Sequence, residues 1–352
     1  MNAPPKETSQ VILTRRTLLG TAAASTAALA ATPLFAQARG EVAPTVRRLS
    51  PALDRIIAPG AEVEVIATGI QWAEGPVWVP QDGGYLLFSD PPANIMRKWT
   101  RKDGVSIFLQ PSGTGGLDPK LVREAGSNGL GMDHHGRLLI ANSGGRSIDR
   151  LDLKTKARSV VVGKWQGKRF NSCNDLTVSR SGAIYFTDPP YGFAQFNASS
   201  LKETPQNGIY RFVEGGEAQL VDGSLPYPNG ITLSPDEKRL FVSNSDPQDR
   251  KIMVYDLGAN GLPTGPGKLF LDASAIKGPG NPDGMKTAPD GTMFCALPGG
   301  MWILTPQGEK LGVIEDGAPI ANCCFGEDGR TLFMASNSRI LRLRLAINGW
   351  KA

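Results

Sequence analysis

Apolar residues in this chain come in short runs, mostly four to six long, each bounded by Gly, Pro, Asn or Asp. YLLFS (85–89), RLLIA (137–141), AIYFT (183–187), RLFVS (239–243), TMFCA (292–296) and TLFMA (331–335) are examples. Leu, aromatic and β-branched residues dominate them, and no sustained apolar spacing of three and four appears, so the pattern predicts strands and little helix. Each of these runs closes a longer phrase: an oxygen-bearing side chain, a short apolar strand, a tight turn, then the run itself. The phrase begins at Glu74, Asn128, Asn174, Asn229, Asp283 and Asn322, at intervals of 54, 46, 55, 54 and 39 residues.

Periods near 40–50 residues with several strands each are the signature of propeller blades. There is room for two more strands after each hairpin, as in NGIYRFVEGGEAQLVDG (207–223) and KIMVYDLGANGLPTGPGKLFLD (251–272). A four-stranded sheet cannot bury both faces alone, whereas six arranged radially cover one another. The expected fold class is therefore all-β, a six-bladed β-propeller over 61–352. The terminal strands should share one blade to seal the ring, with RILRLRLAI (339–347) pairing with EVEVIATGI (62–70). Residues 39–60 read as a linker or short helix leading into the domain.

The first 38 residues change the picture of where the chain works. Thr14-Arg15-Arg16-Thr17-Leu18-Leu19 is a twin-arginine export pattern, an Ala-rich stretch runs from Thr21 to Ala31, and Ala36-Gln37-Ala38 supplies a small-x-small cleavage site. The Ala-rich run is too short to span a membrane stably. The expectation is a soluble periplasmic protein that engages the twin-arginine translocase during export. Net charge is +5 with scattered basic residues, which gives nucleic-acid binding little support. The four cysteines, Cys173, Cys295, Cys323 and Cys324, have no metal-ligand spacing and read as small apolar fillers.

The chemistry lies in the first residue of each phrase. The innermost strand of a blade runs along the central channel, so equivalent strand starts point at one axial space. Two carboxylates and four amides there carry a formal charge of −2, matched to one divalent cation. Ca²⁺ takes six to eight oxygen ligands of these types. Asn-Gly and Asp-Gly are also ordinary turn formers. Glu74 argues against turns alone, because Glu is a poor turn residue yet fills the same slot.

AEGPVW, the stretch from Asn171 to Gly192, YPNGITLSPDEKRLFVSN and PDGMKTAPDG together closely resemble the senescence marker protein/gluconolactonase family, which includes regucalcin. The resemblance runs from about Val63 to Arg344. It implies a six-bladed propeller with one catalytic divalent cation, Ca²⁺ as a rule though members accept Zn²⁺, Mg²⁺ or Mn²⁺, and hydrolysis of sugar lactones. Carried over by position, it implies Glu74, Asn174, Asn229 and Asp283 as metal ligands, with Asp283 also the catalytic carboxylate, as base or nucleophile. Asn128 and the loop holding Tyr191 would face the substrate, and Asn171 and Asn322 complete the candidate substrate set. Cys173 stands where bacterial members commonly have Pro, and Ser172 where regucalcin-like members carry a substrate-binding Arg. The other readings are a propeller phosphotriesterase or strictosidine-synthase-like enzyme, and a non-catalytic periplasmic binding propeller. His134 and His135, the only histidines, fall in a turn remote from the axis, which disfavours a Ser-His-Asp hydrolase and a His-rich zinc site.

Overall fold

A computed structural model describes Met1 and residues 43–350 of the chain. The twin-arginine pattern and the cleavage site lie outside the described residues. Among the described residues, the strands form six antiparallel sheets of at least four strands each, in consecutive order along the chain, with one small extra hairpin. This is the six-bladed propeller that the periodicity predicts.

The first blade shows the plan. Glu74–Val79 is its inner strand, followed outward by Tyr85–Asp90, Ile95–Thr100 and Gly104–Leu109. The second strand, Tyr85–Asp90, is buried along its whole length. Leu86 and Phe88 pack towards the last blade while Tyr85 and Leu87 pack towards the second. That two-sided burial is why such strands read as continuous apolar runs instead of alternating ones. Six apolar clusters result, one at each interface between neighbouring blades. At the seam between the last and first blades, Trp78 stacks on Phe333 with ring centroids 5.5 Å apart, and Trp99 meets the same ring at 5.8 Å.

Closure follows the expected pairing. Val63–Ala67 lies antiparallel to Arg339–Arg344, with Val63 opposite Leu343, so the first and last parts of the propeller share a blade. The stretch read as a linker or short helix takes a more integral place. Thr45–Arg48 adds a fifth strand to the fifth blade, with Val46 opposite Ile314. Ser50 then caps a short 3₁₀ helix, Pro51–Arg55, by accepting from the Ala52 amide, and Leu53 and Ile57 are fully buried against the fifth and sixth blades. The four cysteines are buried free thiols, in keeping with their reading as fillers.

Candidate active site

The inner strands are placed by the ends of the second strands. Asp90 accepts from the amides of Gln71 and Trp72, and Asp188 from those of Asn171 and Ser172. Asn244 Oδ1 does the same for the Tyr227 amide. In these three hairpins one polar side chain thus fixes the loop leading into the inner strand, just before the residue that faces the axis. Pairing is broken at that residue: the register shifts between Glu74 and Val77, Ser127 and Leu130, and Pro228 and Ile231. A bulge of this kind re-aims a side chain away from the sheet.

The glycine after the axial residue belongs to this packing more than to any turn. Gly75 has φ 46°, and a Cβ there would lie 2.0 Å from the Asn128 carbonyl oxygen of the next blade. At Gly230 the corresponding distance to the Asp283 carbonyl is 2.2 Å. Neighbouring inner strands touch backbone to backbone here, so a side chain has no room.

Six of the eight residues singled out from the sequence line one cavity of about 600 Å³: Glu74, Asn128, Asn174, Asn229, Asp283 and Tyr191. The other two stand elsewhere. Asn171 is fully buried. Its Nδ2 donates to the carbonyls of Asp188 and Gln206, and its Oδ1 accepts from Lys202 and Thr204, so it pins a loop. Asn322 is also buried; its Oδ1 accepts from the Cys323 amide at 2.8 Å, and its amide group covers Gly284. Asp175, beside Asn174, accepts from the Leu176 and Ile231 amides and lies 3.8 Å from Lys286. His134 and His135 are exposed, and a His134 ring nitrogen lies 2.8 Å from the Ser179 carbonyl.

The cavity is electrostatically unbalanced. Glu74 is 4% exposed, accepting from the Gly75 amide at 3.0 Å and the Trp72 indole at 3.3 Å. Burial first, then the charges of Asp175 and Glu124, push its carboxyl up to about 8. Asp283 accepts from the Gly284 amide, yet burial and the nearby Glu74 and Asp175 hold it well above the usual carboxylate range. Two amide oxygens, Asn128 Oδ1 and Asn229 Oδ1, are buried without a donor. Asn229 is oriented by its Nδ2, which donates to Ser245 Oγ at 2.9 Å. Among the described residues no group of three or more His, Cys, Asp or Glu gathers for a metal. The donor set here is of another kind, two carboxylates with neutral amide oxygens, which suits a hard cation.

Three further groups at the cavity were not legible in the repeat. Glu124 and Arg123 come from the loop between the first two blades, and Trp72 forms part of the wall instead of joining the inter-blade core as Trp78 and Trp99 do. The long loops 111–124 and 191–206 join over the cavity: the Arg123 amide donates to the Gly192 carbonyl at 2.8 Å, and Val122 pairs with Phe193. Tyr191 stacks on Tyr227 with centroids 5.8 Å apart and meets Phe196 edge-on.

Comparison with known proteins agrees with this layout. Residues 72–338 match the family model described as the SMP-30/Gluconolactonase/LRE-like region. A protein named gluconolactonase from Zymomonas mobilis is 48% identical over 308 residues, covering 85% of each chain. The solved structure of a gluconolactonase from Xanthomonas campestris superposes with a TM-score of 0.73 at 27% identity, over 87% of this chain and 99% of that one. A calcium-binding regucalcin from Agrobacterium tumefaciens shares the fold, with a TM-score of 0.64 at 19% identity over 82% of this chain and 95% of that one. With its inner-strand residues converging on one axial cavity and its family match spanning most of the propeller, the chain belongs to the SMP-30/gluconolactonase/LRE-like family.

Proposed function

We propose that this protein is a divalent-cation-dependent lactonase that opens sugar lactones to hydroxy acids. The observation that carries the proposal is the convergence of Glu74 and Asp283 with the unsatisfied oxygens of Asn128 and Asn229 on one cavity. The two carboxylates repel each other, and the Asn229 oxygen lacks a donor; one cation relieves both conditions, and a substrate hydroxyl can serve the Asn128 oxygen. The similarity to the Zymomonas mobilis gluconolactonase supports the reaction class.

Glu74, Asn174, Asn229 and Asp283 would hold the cation, with Asn128 turned to the substrate side. Bound there, the cation supplies Lewis-acid polarisation of the lactone carbonyl. Asp283 takes the proton from the water that adds to the carbonyl carbon. When the ring carbon–oxygen bond breaks, Asp283 returns that proton to the departing ring oxygen, leaving a hydroxy acid. Ser245 keeps Asn229 in the orientation that presents its oxygen. Tyr191, backed by Tyr227, gives the substrate a flat wall.

A panel of aldonolactones assayed with and without chelator tests the proposal. Turnover should vanish on chelation and return with Ca²⁺, with Zn²⁺, Mg²⁺ and Mn²⁺ compared alongside. Turnover that survives complete metal removal would overturn it. Export to the periplasm by the twin-arginine route is proposed on the N-terminal motif alone, and replacing Arg15 and Arg16 together by Lys should retain the protein in the cytoplasmic fraction.

A further inference from the structure

The reaction outlined above makes no use of Glu124, although it lines the cavity and is only 6% exposed. One of its oxygens, Oε1, is paired with the Arg123 guanidinium. The other accepts no hydrogen bond among the described residues and keeps exposed surface, on a residue that lines the cavity. Burial raises the carboxyl and Arg123 opposes that rise. An acceptor that faces the cavity can take a donor from a ligand in place of water. Arg123 is itself held: its Nε donates to the Tyr191 carbonyl at 3.2 Å, and its guanidinium lies over the Phe196 ring at 5.1 Å from the centroid. The acceptor is thus fixed at the junction of the two long loops, beside the aromatic wall formed by Tyr191 and Phe196.

An aromatic wall with a fixed acceptor open to the cavity beside it fits a polyhydroxylated ring: the face of the ring lies on the aromatic surface and hydroxyls donate to the carboxylate. We infer that Glu124, positioned by Arg123, is the residue that selects polyhydroxylated lactones over unsubstituted ones by accepting hydrogen bonds from ring hydroxyls. This rests on the lactonase reading for its role in turnover. The binding site itself does not, since a ring without a reactive carbonyl should still be recognised.

The test therefore separates binding from turnover in the full chain. Tryptophan fluorescence, with Trp72 in the wall, follows titration with 1,5-anhydroglucitol, a hydroxylated ring that cannot react, and with tetrahydropyran, the same ring without hydroxyls. Glu124→Gln should weaken binding of 1,5-anhydroglucitol about tenfold or more, the scale for loss of hydrogen bonds to a charged group, and leave tetrahydropyran unchanged. KM for glucono-1,5-lactone should rise similarly at saturating Ca²⁺, while KM for δ-valerolactone stays at the wild-type value. Glu124→Asp, which keeps the charge but withdraws it, should show the same selectivity in weaker form. Equal loss for both rings in both variants assigns Glu124 a structural role and overturns the inference. A fall in Ca²⁺ affinity as large in the charge-keeping Glu124→Asp as in Glu124→Gln makes it a cation ligand and overturns it too. If the wild-type chain opens neither lactone, the lactonase reading fails, while the fluorescence titrations still decide the role of Glu124.

Discussion

Asn229 and Asn322 occupy the same place in two copies of one repeat, yet the fold uses them in opposite ways. Asn229 in the fourth blade has its amide nitrogen tied to Ser245, which leaves its oxygen buried, unsatisfied and on the cavity wall. Asn322 in the sixth blade turns its oxygen onto the next amide, Cys323, and packs its amide group over Gly284. Repeat position delivers a side chain to the axis; the partners beside it decide whether its oxygen is left for a ligand. A residue already satisfied by its own strand has little to gain from a cation. One oriented by its nitrogen has an oxygen in need of one.

The largest effect should come from the group placed at the reacting water. Asp283→Asn keeps an oxygen donor and nearly the same volume but cannot take a proton. Turnover of glucono-1,5-lactone should fall about a thousandfold, within the range for loss of a general base, while calorimetry still finds one Ca²⁺ bound. Retained turnover with Ca²⁺ bound would move the proton acceptor elsewhere in the cavity.

The charge at Glu74 gives the next test. Its folded carboxyl is raised to about 8, so the folded chain holds this proton more tightly than the unfolded chain does. The stability it contributes is complete at pH values below the ordinary Glu range and is lost as pH rises towards about 8, where the buried carboxylate must be charged. In chelator, thermal unfolding should therefore drop between pH 5 and pH 8, and Glu74→Gln should flatten part of that slope. Added Ca²⁺ should stabilise the wild-type chain more at pH 8 than at pH 5, with proton release on binding. Equal stabilisation at both pH values would detach Glu74 from the cation site.

Asn229→Ala and Asn322→Ala should separate the two asparagines. Removing Asn229 should weaken Ca²⁺ affinity by at least about tenfold, since even the outer partners of metal ligands carry that much. Asn322→Ala should leave Ca²⁺ affinity unchanged and lower stability by about 1–3 kcal/mol in chemical denaturation, because the Cys323 amide loses its acceptor inside the core. Similar affinity losses in both variants would make the two asparagines equivalent after all.

Much of the fold was legible because propeller packing writes itself into the chain. Second strands buried on both faces become unbroken apolar runs, and closure needs terminal strands whose pattern matches, as at Val63–Ala67 and Arg339–Arg344. The strand Thr45–Arg48 was not legible, since it is a short, mostly exposed edge whose place is set by the fifth blade it joins, with Arg47 donating to Glu315. The axial residues stood out by recurring at one offset. Their orientations did not, because hydrogen bonds to Ser245 or Cys323 come from neighbours that carry no period. Glu124 was missed for a related reason: it sits in a loop outside the repeat, and a loop carboxylate in sequence looks solvated. The glycine after Asn229 was visible, but as a turn former; the contact that it and Gly75 make room for lies in the adjoining blade.

The smallest effect expected belongs to the two histidines, and it tests the axial assignment from the other side. They sit in the turn of the second blade, at the end of its hairpin remote from the cavity, and neither lines the cavity wall. His134 is near the Ser179 carbonyl on the third blade, and the His135 amide donates to Asp133. Replacing both with Ala removes imidazole from the chain altogether. Stability should change by less than about 0.5 kcal/mol, as for most surface substitutions, and the pH profile of lactone turnover should keep its shape. A proton acceptor at Asp283 requires that result. A profile that lost a limb near neutral pH would place an imidazole in the reaction, and the axial carboxylate would then be left with the cation alone.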